Sequence, residues 1–161
     1  MSARVSIAAE PQRDEWQPIL ELAVQEVFEI MVGGGLQSAP GNTVVPRGEF
    51  TAIVGLAGAL VGVITFCCGA QTGSRIATRM LGSEGAISDR QTWDALGEIC
   101  NMIAGNFKNK LSGLDGRCML GIPNVIVGAA YRFHSLANGR SVRTILLFEE
   151  MPVVVRLELQ K

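Results

Sequence analysis

Residues 52–70 carry no charged side chain, and they set the first choice that any fold of this chain must make. As a helix, such a run is long enough to cross a bilayer. Within it, Gly58-x-x-x-Gly62 has the spacing of a membrane-helix contact. The run is nevertheless rich in Val, Ile and Thr, and Gly55, Gly58, Gly62 and Gly69 punctuate it. No Trp or Tyr stands at either end to anchor it at a membrane interface. A glycine-bearing turn near Ala57-Gly58-Ala59 divides it into two strands of ordinary length, residues 50–57 and 59–68. The sequence therefore predicts a hairpin inside a globular domain and no membrane insertion.

The segments around this hairpin have helical and strand periods. Residues 15–32 read as an amphipathic helix, with Ile19, Leu22, Ala23, Val27, Ile30 and Met31 recurring at helical spacing. Asp14 is placed to cap it, and Gly33-Gly34-Gly35 ends it. A short helix is predicted over 72–81, stopping at Gly82. Ser88-x-x-Gln91 has the form of a capping box and opens the longest helical pattern, residues 89–111. Two strands follow, 117–122 and 124–133, interrupted by Pro123 in the manner of a bulge or a sheet edge. The chain closes with a hairpin, 142–148 and 152–159, around Glu149-Glu150. In its second arm Val153, Val155, Leu157 and Leu159 alternate with Val154, Arg156, Glu158 and Gln160, the period of a strand.

No β-α-β alternation occurs. The expected architecture is α/β of the α+β kind, an antiparallel sheet packed by two long helices. The order long helix, then extended hairpins, comes twice, which suggests a duplicated fold. A length of 161 residues fits one domain spanning 1–161.

Composition removes several function classes. Hydrophobic residues make up 48% and charged residues 18%, which argues for a packed core and against disorder. With a net charge of −1 and scattered Lys and Arg, the chain lacks the footprint of a nucleic-acid binder. Cys67 and Cys68 are adjacent and would point to opposite faces of a strand, while Cys100 and Cys118 stand alone. With no C-x-x-C spacing and only His134 besides, no metal-binding set is expected, and free thiols in a reducing cytoplasm are. His134 follows Tyr131-Arg132-Phe133 and reads as an ordinary strand histidine. No basic segment leading into a cleavable apolar run opens the chain.

The longest helix carries the chemistry. At ~100° per residue, Trp93, Leu96, Cys100, Ile103, Phe107 and Leu111 fall on one broad side, with Ile99 and Ala104 at its borders. That side is expected to be core. Asp94, Glu98, Asn101, Gly105 and Lys108 share a narrow stripe opposite. Asn has low helix propensity, and Gly inside a helix costs ~1 kcal/mol relative to Ala. Neither is a choice for stability. Glycine on an exposed face has one clear use, close approach by another backbone. Glu98 and Asn101, at i and i+3, can reach one site together. A carboxamide both donates and accepts, so it can fix the direction of a water, and positioning of this kind is much of what phosphoryl transfer requires of a protein. By itself an exposed Glu-x-x-Asn is ordinary solvated surface; its context gives it meaning.

That context is the run Gly97-Glu98-Ile99-Cys100-Asn101-Met102-Ile103-Ala104-Gly105-Asn106. It resembles the signature helix of the CheC/CheX chemotaxis phosphatase family. Ala77-Thr78-Arg79-Met80-Leu81-Gly82 upstream and Ile122-Pro123-Asn124-Val125-Ile126-Val127-Gly128 downstream are similar to flanking segments of that family. The resemblance implies dephosphorylation of a CheY-like response regulator in chemotaxis. Asn101 would orient the attacking water, and Glu98 would pair with the regulator's active-site lysine. Asp94, Gly105 and Lys108 would contact the partner. Mg²⁺ would belong to the regulator, so the chain itself would need no cofactor.

Some members carry a second Glu-x-x-Asn on the first helix. Here Glu21, Glu26 and Glu29 are followed three residues later by Val24, Glu29 and Val32. A single site is implied, as in the CheX branch, which is typically a homodimer formed through its sheet. The same ridge also suits a module that binds a receiver domain, or assembles with signalling or flagellar-switch partners, without hydrolysis.

Overall fold

A computed structural model of the chain describes residues 13–45, 48–111 and 116–161. The uncharged run forms the expected hairpin, β2 (Phe50–Gly58) and β3 (Gly62–Cys68), in antiparallel register from Phe50↔Cys68 to Leu56↔Gly62. Its turn falls after Gly58 rather than around it. The reason lies across the sheet, where Ala57 and Gly58 still pair with Met119 and Cys118. Gly58 adopts a φ of 99°, and a Cβ there would stand 2.1 Å from the Arg117 carbonyl oxygen. Among the described residues, no helix is long and apolar enough to cross a membrane.

Helix α1 (Arg13–Val27) runs into a π-helical turn, Phe28–Val32, closed by Gly33 in the left-handed region with its N–H on the Phe28 carbonyl at 3.0 Å. Asp14 thus lies inside the helix rather than ahead of it, and its side chain is outside the described residues. The buried stripe is Trp16, Leu20, Ala23, Val24, Val27 and Phe28. Leu22 and Ile30, both expected in the core, are exposed, Ile30 by 77%. For Ile30 the π turn supplies the reason: its extra residue rotates Phe28 inward and Ile30 out.

Helix α2 (Ala70–Leu81) stops at Gly82, whose φ is 59°. Helix α3 (Asp89–Lys110) starts with the predicted capping box: Gln91 N–H donates to Ser88 Oγ at 3.2 Å, and Ser88 N–H to Gln91 Oε1 at 2.8 Å.

The remaining strands are β1 (Gln37–Ser38), β4 (Cys118–Leu120), β5 (Asn124–Val127), β6 (Ser141–Phe148) and β7 (Met151–Leu159). The described strands form one sheet in the order β1-β6-β7-β3-β2-β4, with β5 also on β2, and each described pairing is antiparallel. The three helices cover one face. Alternate residues of β2, β3, β6 and β7 meet them there, with Phe28 packed on Phe66 and Phe148 and Trp16 on Phe107.

The strand predicted over 124–133 ends early, at Val127. Val127 pairs with Phe50, where β2 begins, and past it one more bond follows, from Gly128 N–H to the Glu49 carbonyl at 2.8 Å. Gly128, at φ 126°, turns the chain away. The segment then crosses the face opposite the helices without forming a strand, its Tyr131 hydroxyl hydrogen-bonded to Thr51 Oγ1. His134 lies exposed in this crossing and is not a strand histidine.

Candidate functional site

Helix α3 is fixed before any function is considered. Leu96, Ile99, Cys100, Ile103 and Phe107 are fully buried on its inner side. The Cys100 thiol sits 3.6 Å from the carbonyl oxygens of both Ala52 and Ile64, over the middle of the β2–β3 hairpin. Burial there pushes the Cys100 thiol pKa up to about 12.

One flank is tied to α1. Asn106 Nδ2 donates to the Ala23 carbonyl at 3.3 Å and to Glu26 Oε2 at 2.8 Å, and Lys110 Nζ lies 2.6 Å from the same carboxylate. Lys110 and Asn106 hold the Glu26 carboxyl below the usual carboxylate range. Asn106, part of the signature run, therefore serves packing.

The other flank lies against β4 and β5, where Lys108 Nζ donates to the Cys118 carbonyl at 2.9 Å. Between Leu56↔Leu120 and Ile53↔Asn124, two residues of β2 face three of the partner, Gly121, Ile122 and Pro123. This is a β-bulge, as the proline suggested, with Gly121 N–H on the Gly55 carbonyl at 2.8 Å. Pro123 and Val125 pack close to Gly97: a Cβ on that glycine would stand 3.4 Å from Pro123 Cβ and 3.6 Å from Val125 Cγ2.

The stripe predicted from the wheel faces outward between these flanks. Asp94 and Glu98 are exposed, while Asn101, Gly105 and Lys108 are half-buried. Asp94 makes only a long contact, 3.9 Å, with Arg90 one turn earlier, both side chains being mostly in solvent, so its charge stays available. Among the described residues, Glu98 and Asn101 have no side-chain hydrogen bond or ion pair. Their groups are free to engage something outside the chain.

Gly105 is also informative. A Cβ there would meet only Leu120 Cδ1, at 3.8 Å, so no packing inside the chain requires glycine. Hollows in the surface lie elsewhere, along α1 by Gln17, Glu21 and Gln25, and between α2 and the β6–β7 turn by Arg75, Thr78 and Glu149. An outward helix face of this kind suits a protein partner better than an enclosed small molecule.

Two features of the site escaped the sequence reading. Trp93, expected in the core, is 38% exposed, because the flank it occupies has only the sheet edge beside it and β5 ends at Val127. Ile122, at the crest of the bulge, is 85% exposed. The proline marked the bulge, but nothing local told which residue it would turn out.

The sequence pattern of the family described as Chemotaxis phosphatase CheX matches residues 50–146. Among curated proteins no sequence match is found. The fold is similar to that of the chemotaxis protein CheX from Desulfovibrio desulfuricans, with TM-score 0.77 and 23% identity, covering 91% of this chain and 99% of that one. CheX from Vibrio vulnificus gives TM-score 0.77 at 18% identity, with 94% and 100% covered. The CheX-CheY-BeF3-Mg+2 complex from Borrelia burgdorferi also matches, with TM-score 0.67, 22% identity, and 91% and 98% covered.

Proposed function

Because the chain belongs to the CheX family of chemotaxis phosphatases, we propose that it hydrolyses the aspartyl phosphate of a CheY-like response-regulator receiver domain. Asn101 positions the attacking water, its carbonyl oxygen accepting from the water and its amide able to donate. The water oxygen bonds to phosphorus as the bond from phosphorus to the aspartate oxygen breaks, giving inorganic phosphate and a free carboxylate. Glu98 pairs with a lysine beside the receiver's acid and so sets the docking register. Mg²⁺ on the receiver supplies charge stabilisation, and this chain contributes placement.

Asp94 and Gly105 extend the docking surface. Lys108 spends one of its three donors on the Cys118 carbonyl and offers the others to the partner. The observation that carries this reading is the pair itself: Glu98 and Asn101 unpartnered on the outer face of a helix whose inner face is locked over the hairpin.

The same reading places the protein in the cytoplasm, where receiver domains work, and as a homodimer through its sheet. Since β7 lies between β3 and β6, edge-to-edge pairing would have to use the β6 edge beyond the two-residue β1, or the β4–β5 edge. Light scattering tests the dimer.

The test of function is to phosphorylate the receiver domains of the same cell and follow phosphate loss with wild-type protein and with Asn101→Ala. Faster decay with wild type, falling to the receiver's own rate in the variant, is expected. If wild type and variant both leave the receiver at its own rate, hydrolysis is refuted. Binding of the charged receiver without turnover would identify a recognition module instead.

A further inference from the structure

The ridge explains polar recognition but supplies no apolar contact, and transient protein interfaces usually bury a small apolar centre within a polar surround. The side chains that could provide it lie on one flank. Ile122 is 85% exposed at the crest of the bulge, and Trp93 is 38% exposed one turn before Gly97 on the same flank of α3. Neither belongs to the buried core cluster. Both are rigidly related to the ridge, because Pro123 packs against Gly97, Leu120 against Gly105, and Lys108 holds the Cys118 carbonyl.

We propose that Ile122, together with Trp93 on the same flank of α3, is the apolar anchor that the phosphorylated receiver domain buries when Glu98 and Asn101 engage its acid. This rests on the reading of the ridge as the receiver-docking site. The bulge is what turns this edge from a pairing surface into a side-chain surface. An extra residue breaks the ladder at Gly121-Ile122-Pro123, and Pro123 has no N–H to offer, so a second copy adding a strand here would find the pattern interrupted. A receiver domain needs no such strand. It needs an apolar knob at a fixed offset from Asn101, and the Pro123–Gly97 contact fixes that offset.

The experiment compares wild type, Ile122→Asp, Trp93→Ala and Asn101→Ala. Three quantities are read: the Kd for a CheY-type receiver domain charged with beryllium fluoride and Mg²⁺, the KM and kcat for the phosphorylated receiver, and the molecular mass in solution. Ile122→Asp lies on an exposed side chain, so its circular dichroism and melting should match wild type. Its Kd and KM should rise about tenfold or more, the loss expected for one buried Ile, with kcat retained at saturation. Trp93→Ala should act in the same direction, whereas Asn101→Ala should lose kcat and keep Kd.

A wild-type Kd in Ile122→Asp overturns the anchor. So does a variant that loses self-association while binding the receiver normally, which would assign Ile122 to a second copy. Full activity in Asn101→Ala together with weakened binding in Ile122→Asp refutes the water-positioning role and leaves the anchor standing. The opposite pattern refutes the anchor alone.

Discussion

Replacing Gly105 by Ala separates stability from docking. In the structure a methyl there would meet one atom, Leu120 Cδ1, at 3.8 Å, which is ordinary van der Waals contact. The helical backbone is unchanged by the substitution, and Ala is better than Gly in a helix interior by ~1 kcal/mol. For a domain of this size that gain should raise Tm by about 2–4 °C. The same methyl projects from the ridge beside Asn101, where a partner's backbone is expected to approach most closely. Affinity should therefore fall as stability rises, with KM for the phosphorylated receiver up by about tenfold if the clash costs ~1.4 kcal/mol. The assay pairs thermal unfolding with steady-state dephosphorylation over a range of receiver concentrations. A stabilised variant with unchanged KM and kcat would refute the docking gap. A destabilised variant would refute the open space itself.

Two further outcomes test the frame beneath the site. Gly73→Ala should destabilise by about 1–3 kcal/mol in urea unfolding, because a Cβ there would stand 2.6 Å from Phe50 Cδ2 and 3.1 Å from Leu96 Cδ1 in a filled core. Burial raises the thiol pKa of Cys68 and Cys100 to about 12, so both stay protonated in the fold while unfolded thiols ionise near 9. The stability this gives is complete below pH ~9 and is lost as pH rises toward 12, so the urea midpoint should fall over that window. At pH ~8 a thiol reagent should react quickly with half-exposed Cys67, and with all four cysteines only after unfolding.

What was legible in the sequence was local. The capping box at Ser88 and Gln91 needs only residues three apart, and the β6–β7 hairpin is written in alternation on either side of Glu149-Glu150. The outward stripe from Asp94 to Lys108 follows from helix geometry alone. What was not legible depends on which residues lie across from one another. Tyr131 to His134 have strand-like composition, yet β2 offers no partner past Phe50, and the segment becomes a crossing instead. Trp93 has the hydrophobicity of a core residue and falls where the sheet runs out. Ile122 is turned outward by a register of three residues against two, which no window of the sequence contains.

The topology explains why the chain has one such ridge when it has two long helices. If α1, β1, β2 and β3 exchange places with α3, β4/β5, β6 and β7, the strand order β1-β6-β7-β3-β2-β4 reads the same from the other end. Each hairpin contributes its second arm to the centre, where β3 pairs with β7, and its first arm outward. Each short strand pairs with the first arm of the other half, β1 with β6 and β4/β5 with β2. Equal architecture thus offers two helices the same role, and the residues decide. On α1 the position three after Glu21 is Val24, fully buried, and the position three after Glu29 is Val32, also buried, so neither can share an outward stripe with its glutamate. The remaining pair, Glu26 and Glu29, puts Glu26 into the Lys110 and Asn106 contact that braces α3. The flanking edge differs as well, since β1 has two residues and carries no bulge comparable to Gly121-Ile122-Pro123. One half of the duplicated frame has become the support of the other, and the outward amide at Asn101 stands on the half that is supported.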